Sequence, residues 1–156
     1  MIIWLSSYHK SGNTWVRTFL TNYLFEENED PFGNINKISS YPRERHFTFL
    51  DEQELKTLGD KENSFKYYIK SQEKINISGD LSLFKTHSYC GAVNDNYFTN
   101  NQNTAGFVYF VRDPRSVAIS LSHHMTKSLE EVVDIMIDKN TFMKVNDEFG
   151  EYLSSW

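Results

Sequence analysis

Twice in this chain a short apolar run ends in a polar, cation-bearing loop that opens directly onto a helical pattern. Ile2-Ile3-Trp4-Leu5 leads into a loop over residues 6–12. From Asn13 onward, Trp15, Val16, Phe19, Leu20, Tyr23 and Leu24 recur at helical spacing and predict one apolar face. Phe107-Val108-Tyr109-Phe110-Val111 is the clearest apolar run, and Arg112-Asp113 end it. Pro114 suits the first turn of a helix, and Val117, Ile119, Leu121 and Met125 belong to the helix that follows. Short apolar runs between turn residues read as buried strands. Strands alternating with helices predict an α/β fold with a central parallel sheet.

Between these units the pattern is less regular. The first helix is expected to fade in the acidic stretch 26–30, before Pro31. Residues 31–50 show no firm period, and Pro31, Gly33 and Pro42 point to irregular structure. Asp51-Glu52-Gln53-Glu54 has the form of a capping box for a short helix ending near Gly59. A further helix is expected over 64–74, so residues 31–78 form a helical and irregular insert. Leu81-Ser82-Leu83-Phe84 reads as a strand entering Lys85-Thr86-His87. The Asn-rich stretch 94–103 reads as an exposed loop. Ser128-Leu129-Glu130-Glu131 is a second capping box, opening an apolar helix through Val132, Val133, Ile135, Met136 and Ile137. Ser154-Ser155-Trp156 has the look of the middle of a helix.

The chain has 156 residues, a length suited to one domain over 1–156. Aromatic residues make up 15% of it, which excludes a disordered chain. Its 16 Lys+Arg against 21 Asp+Glu give a formal net charge of −5 and argue against a general nucleic-acid binder. That balance leaves room for a local anion site. The single cysteine, Cys90, excludes an internal disulfide and fits a reducing, cytoplasmic setting. No apolar run reaches the roughly 18 residues of a membrane span.

Three loops carry the residues with chemistry. In Tyr8-His9-Lys10-Ser11-Gly12-Asn13-Thr14-Trp15, a helix start offers unpaired N–H groups and a dipole that favours an anion. Lys10 adds a full charge, Gly12 permits close backbone approach, and Ser11 and Thr14 offer hydroxyls. Lys10 precedes the glycine, so this is not the Walker pattern of a magnesium-dependent nucleotide kinase. In the second loop, Arg112 and Ser120 either hold an anionic group or Arg112 pairs with Asp113. In a parallel sheet both loops open at the strand C-termini, where ligands bind. In the third, His87 ends Lys85-Thr86-His87; its near-neutral pKa suits proton transfer, although a lone histidine is more often structural. His123-His124 are adjacent on a helix and cannot easily face one metal; no metal is expected.

Taken in order, these three motifs resemble the sulfotransferases that use 3′-phosphoadenosine 5′-phosphosulfate (PAPS), the cytosolic family and its bacterial relatives. The resemblance covers roughly residues 1–125. It implies a P-loop-like, three-layer α/β fold around a parallel sheet. It implies that Lys10 contacts the 5′-phosphosulfate and steadies the leaving oxygen, with Ser11, Gly12, Asn13 and Thr14 around the same group. By the same resemblance Trp15 packs on the adenine, and Arg112 and Ser120 bind the 3′-phosphate. His87 matches the catalytic base and Lys85 the lysine that assists it. The implied acceptor is a hydroxyl or amine on a small molecule or glycan.

Two departures from the family pattern stand out. His9 occupies a position usually held by proline, and nothing after Arg115 resembles the family's basic Arg-Lys-Gly loop. The domain is therefore expected to be truncated at its C-terminus, with a homo-oligomer as one way to complete the sheet. The alternative to an enzyme is a non-catalytic remnant that binds a nucleotide or partner through the same loops. Phe32, Tyr41, Phe47, Phe49, Phe65, Tyr67 and Tyr68 either line an acceptor pocket or pack the insert.

Overall fold

The computed structural model describes residues 1–25, 30, 32–144 and 150–153. A three-stranded parallel sheet forms its centre. β1 (Ile2–Ser7) lies between β2 (Ser82–Thr86) and β5 (Thr104–Phe110). Helices flank this sheet. α1 (Asn13–Leu24) follows β1, and α4 (Pro114–Met125) and α5 (Leu129–Ile137) follow β5. The segment before β2 holds α2 (Glu52–Thr57), α3 (Tyr68–Ile75) and short 3₁₀ turns. Two antiparallel pairs complete the description, β3 (Ala92–Val93) with β4 (Asn96–Tyr97) and β6 (Phe142–Lys144) with β7 (Gly150–Tyr152). Among the described residues no helix is long and apolar enough to cross a membrane.

Local chemistry sets several boundaries. Asp51 caps α2, its carboxylate accepting from Glu54 N at 2.8 Å while Glu54 reaches back to Asp51 N. Ser128 and Glu131 make the same reciprocal pair at α5. Pro114 opens α4 behind an Asp113 cap. The helix expected over 64–74 begins later, at Tyr68, after a run of turns. Residues 26–29 and 154–156, where the sequence points to a fading helix and to a helix interior, lie outside the described residues.

The main core packs on one face of β1. Parallel register places Trp4 beside Phe84 on one side and Phe107 on the other. Trp4 is fully buried, in edge or tilted contact with Tyr41 and Phe98 at 5.2 and 4.9 Å between ring centroids. Its indole N–H donates to Thr104 Oγ1 at 2.9 Å, so the ring brings no unsatisfied donor into the core. Phe47, Phe65 and Tyr68 extend the same cluster. Tyr41 Oη, buried with it, donates to Ser71 Oγ at 3.1 Å. A second, smaller cluster joins Tyr8 to Val117, Leu121, Val132 and Met136 of the last two helices.

Three expectations change. Val108 and Tyr109, and Val111 just past the strand, are exposed, because among the described residues β5 is an edge strand and pairs only with β1. The apolar stripe of α1 does not face a core either. Asn13 and Thr21 are its buried residues, while Trp15, Phe19 and Tyr23 stack along its exposed side with centroids 6.1 and 6.2 Å apart. The stretch 94–103 is anchored rather than loose. Gln72 Nε2 donates to Phe98 O at 2.6 Å and draws the Phe98 ring into the core.

Candidate functional site

The loops after β1, β2 and β5 all open at the C-terminal edge of the sheet, where ligands of parallel α/β proteins bind. They enclose a cavity of about 630 Å³. His9, Lys10, Gly12, Asn13, Thr14 and Trp15 line it from the first loop, Lys85 and His87 from the second, and Arg112, Ser120 and His124 from the third. Of the residues singled out in the sequence, only Ser11 is not in the wall. It is buried within the first loop, and its Oγ has no hydrogen-bond partner.

The first loop is held in shape from three sides. Lys10 and Gly12 take left-handed backbone angles, φ 62° and 97°. That conformation is strained for a lysine and natural for a glycine. Ser11 N closes a turn onto Tyr8 O. Asn13, almost fully buried, donates through Nδ2 to Leu5 O at 3.0 Å and Ser7 Oγ at 3.2 Å, tying the helix start to the strand end. Its amide donors thus point inward to the fold. The N–H groups of the first turn, which have no intrahelical acceptor, remain directed outward. Arg112 Nη1 donates to Lys10 O at 3.0 Å and links the first loop to the third.

The ion pair open to Arg112 in the sequence is made by its neighbour instead. Arg115 grips Asp113 at 2.6 Å, and its hydrogen bonds hold the Asp113 carboxyl down at about 2. Asp113 also caps α4 by accepting from Arg115 N. The bond from Arg112 reaches only a neutral carbonyl, so its charge counts toward the cavity. Lys10, Lys85 and Arg112 make the lining cationic, and among the described residues no carboxylate belongs to it. A chain of net charge −5 therefore carries a locally cationic cavity.

His87 stands just past β2 with Nδ1 2.7 Å from Ser7 O. A carbonyl can only accept, so Nδ1 carries the proton and Nε2 holds the lone pair. That is the tautomer a general base needs. The His9 ring lies against it, centroids 4.0 Å apart at 34°. Trp15, 74% exposed, offers its indole face at the rim.

Three lining residues, His9, Phe32 and His124, had no donor-site role assigned from the sequence. His124 lies four residues after Ser120 on α4, and that spacing alone places both on one helix face. His9 lies within the first motif. Phe32 was one of the insert aromatics for which a pocket or a packing role stood open, and it lines the cavity. The aromatics of the insert divide clearly. Tyr41, Phe47, Phe65 and Tyr68 are buried in the core, Phe49 and Tyr67 pack against it, and Phe32 alone reaches the cavity. Among the described residues no group of three His, Cys, Asp or Glu is placed to hold a metal ion.

A parallel α/β sheet with a cationic cavity at the C-terminal ends of its strands fits a P-loop-like fold. The sulfotransferase domain model matches residues 2–155, and the chain belongs to the sulfotransferase domain family. No curated protein matches the chain.

Proposed function

We propose that this chain transfers a sulfuryl group from PAPS to a hydroxyl or amine of an acceptor. One observation carries this reading: Lys10, Lys85, His87, Arg112 and Ser120, far apart in sequence, line one cavity. The donor set fits such a molecule. Its volume of about 630 Å³ lies in the usual range for cofactor sites. Two anionic ends require two separate sets of donors. Lys10, Thr14 and the N–H groups of the α1 start serve the 5′ end, and Arg112 with Ser120 serves the 3′-phosphate.

PAPS supplies the sulfuryl group and departs as 3′-phosphoadenosine 5′-phosphate. The protein's work is alignment and charge neutralisation. His87 Nε2 takes the acceptor's proton as the new bond to sulfur forms and the bond from sulfur to the phosphate oxygen breaks. Lys10 neutralises the charge that develops on that oxygen, and Lys85 supports the same region. Trp15 presents a flat face for the adenine. The exposed, unpaired thiol of Cys90 favours a cytoplasmic setting for the reaction.

The test is turnover of His87→Ala with PAPS and an acceptor panel. Loss of a general base lowers the rate by about 10²–10⁴-fold. Full turnover in that variant would remove His87 from the role. Nucleotide binding with no transfer to any acceptor in the parent chain would favour a non-catalytic binding protein.

A further inference from the structure

His87 borders two open spaces, the cavity of about 630 Å³ and a smaller one of about 200 Å³ beside it. Its hydrogen bond fixes one ring atom, Nδ1, 2.7 Å from Ser7 O. A ring held only there can still swing about that bond into either space. We propose that His9 is the positioning residue that stops this motion: its ring braces the face of His87 and keeps Nε2 in line for proton transfer, an inference that rests on reading His87 as the base.

The contact itself comes first. The two imidazole rings lie 4.0 Å apart between centroids, tilted by 34°. At that distance His87 cannot turn toward His9 without overlap. A paired aromatic contact is worth roughly two- to ten-fold in the population of one ring orientation.

The mounting of His9 comes second. Ser7, Tyr8 and His9 are consecutive, so one backbone segment supplies both the carbonyl that holds the edge of His87 and the ring that covers its face. Ser7 ends the central strand and is buried, and Asn13 Nδ2 donates to its Oγ at 3.2 Å. Tyr8 is buried too, packed with Val117 and Leu121. Its ring stands edge-on to His9, 6.4 Å away at 85°. Lys10 then turns the chain at φ 62°. His9 is thus a short side chain on a backbone fixed from both sides.

The chemistry of the pair comes third. A brace of this kind needs an aromatic face at position 9 and no charge. His9→Phe therefore keeps the brace, and His9→Ala or His9→Gln removes it. The proline of the family pattern offers no aromatic face there, so the brace belongs to this chain.

The experiment labels the histidine rings with nitrogen-15 and records them at about pH 8, above the usual imidazole range. His87→Ala identifies the His87 signals by their loss. In the parent, Nδ1 is expected to show the protonated type of shift and Nε2 the lone-pair type. In His9→Ala and His9→Gln the two signals move toward each other as the tautomers mix, and in His9→Phe they stay apart. Turnover follows the same pattern. Both ringless variants lower kcat by about five- to ten-fold with KM for PAPS changed by less than about two-fold, and His9→Phe recovers the rate. His9 lies in a loop and is not fully buried, so these variants are expected to fold. Unchanged His87 nitrogens in the ringless variants overturn the proposal. So does His9→Phe behaving as they do, or a kcat left intact when the nitrogens converge. If the parent shows no turnover, or His87→Ala keeps it, the reading of His87 as the base falls, and the nitrogen spectra alone decide whether His9 braces the ring.

Discussion

β1 and β5 are neighbours in one sheet, and both begin as short apolar runs between polar residues. Five of the six residues of β1 are buried. None of the seven in β5 is fully buried, and four are exposed. The difference is topological. β1 has a strand on each side and the aromatic cluster beneath it, whereas among the described residues β5 pairs on one side only. An apolar run thus specifies a strand, and the order of strands decides how far that strand is buried.

The comparison is sharpest at one row of the sheet, where Trp4 and Phe107 are register partners with stacked rings 6.4 Å apart. Trp4→Ala is expected to cost about 3–5 kcal/mol, because it empties the centre of the core. Phe107, 42% exposed, gives up much less burial. Phe107→Ala is expected to cost about 1 kcal/mol. Chemical denaturation of both variants reads the two values. Equal losses would mean that the two strands are equally covered in solution.

A titration reports on the same core from another side. His46 stacks on Tyr41 and accepts from Arg43 N through Nδ1 at 3.2 Å. Burial first, then the charges of Arg45 and Arg43, lower its pKa from 6.5 to about 4. The unfolded chain therefore binds more protons than the folded one between these values. The contribution is complete above pH 6.5, declines as pH falls, and is lost by about pH 4. It amounts to about 2–3 kcal/mol. Unfolding midpoints from pH 7.5 to 4.5 should fall more steeply for the parent than for His46→Gln. Parallel slopes would show that His46 is solvated in the folded state.

The smallest effect belongs just past the end of β5. Val111 is 69% exposed. Val111→Lys is expected to change stability by no more than about 0.5 kcal/mol and to improve solubility at the sheet edge. A loss as large as that of a core residue would show Val111 covered in solution.

What could be read from the sequence was local. Asp51 with Glu54, Ser128 with Glu131, and Pro114 mark helix starts through contacts within four residues, and each appears in the structure. The three loops of the first cavity were legible for the same reason, since each lies between a strand and the element after it. Burial was not legible where it depends on partners distant in sequence. The α1 stripe and β5 carry core-like residues but face outward. Phe98 sits in a polar stretch and is buried because Gln72 and Trp4 meet it there. Phe32, open in the sequence between pocket and packing, was settled only by the folding of separate segments around one cavity.

The central claim is that the Lys10 loop and the Arg112–Ser120 pair act as one donor site. Its most direct test is calorimetric titration of the folded chain with 3′-phosphoadenosine 5′-phosphate against ADP, which lacks the 3′-phosphate. The account predicts binding at least about ten-fold tighter for the 3′-phosphorylated nucleotide, with the preference lost in Arg112→Ala. Equal affinity for the two nucleotides, or no binding by a folded chain, would contradict it.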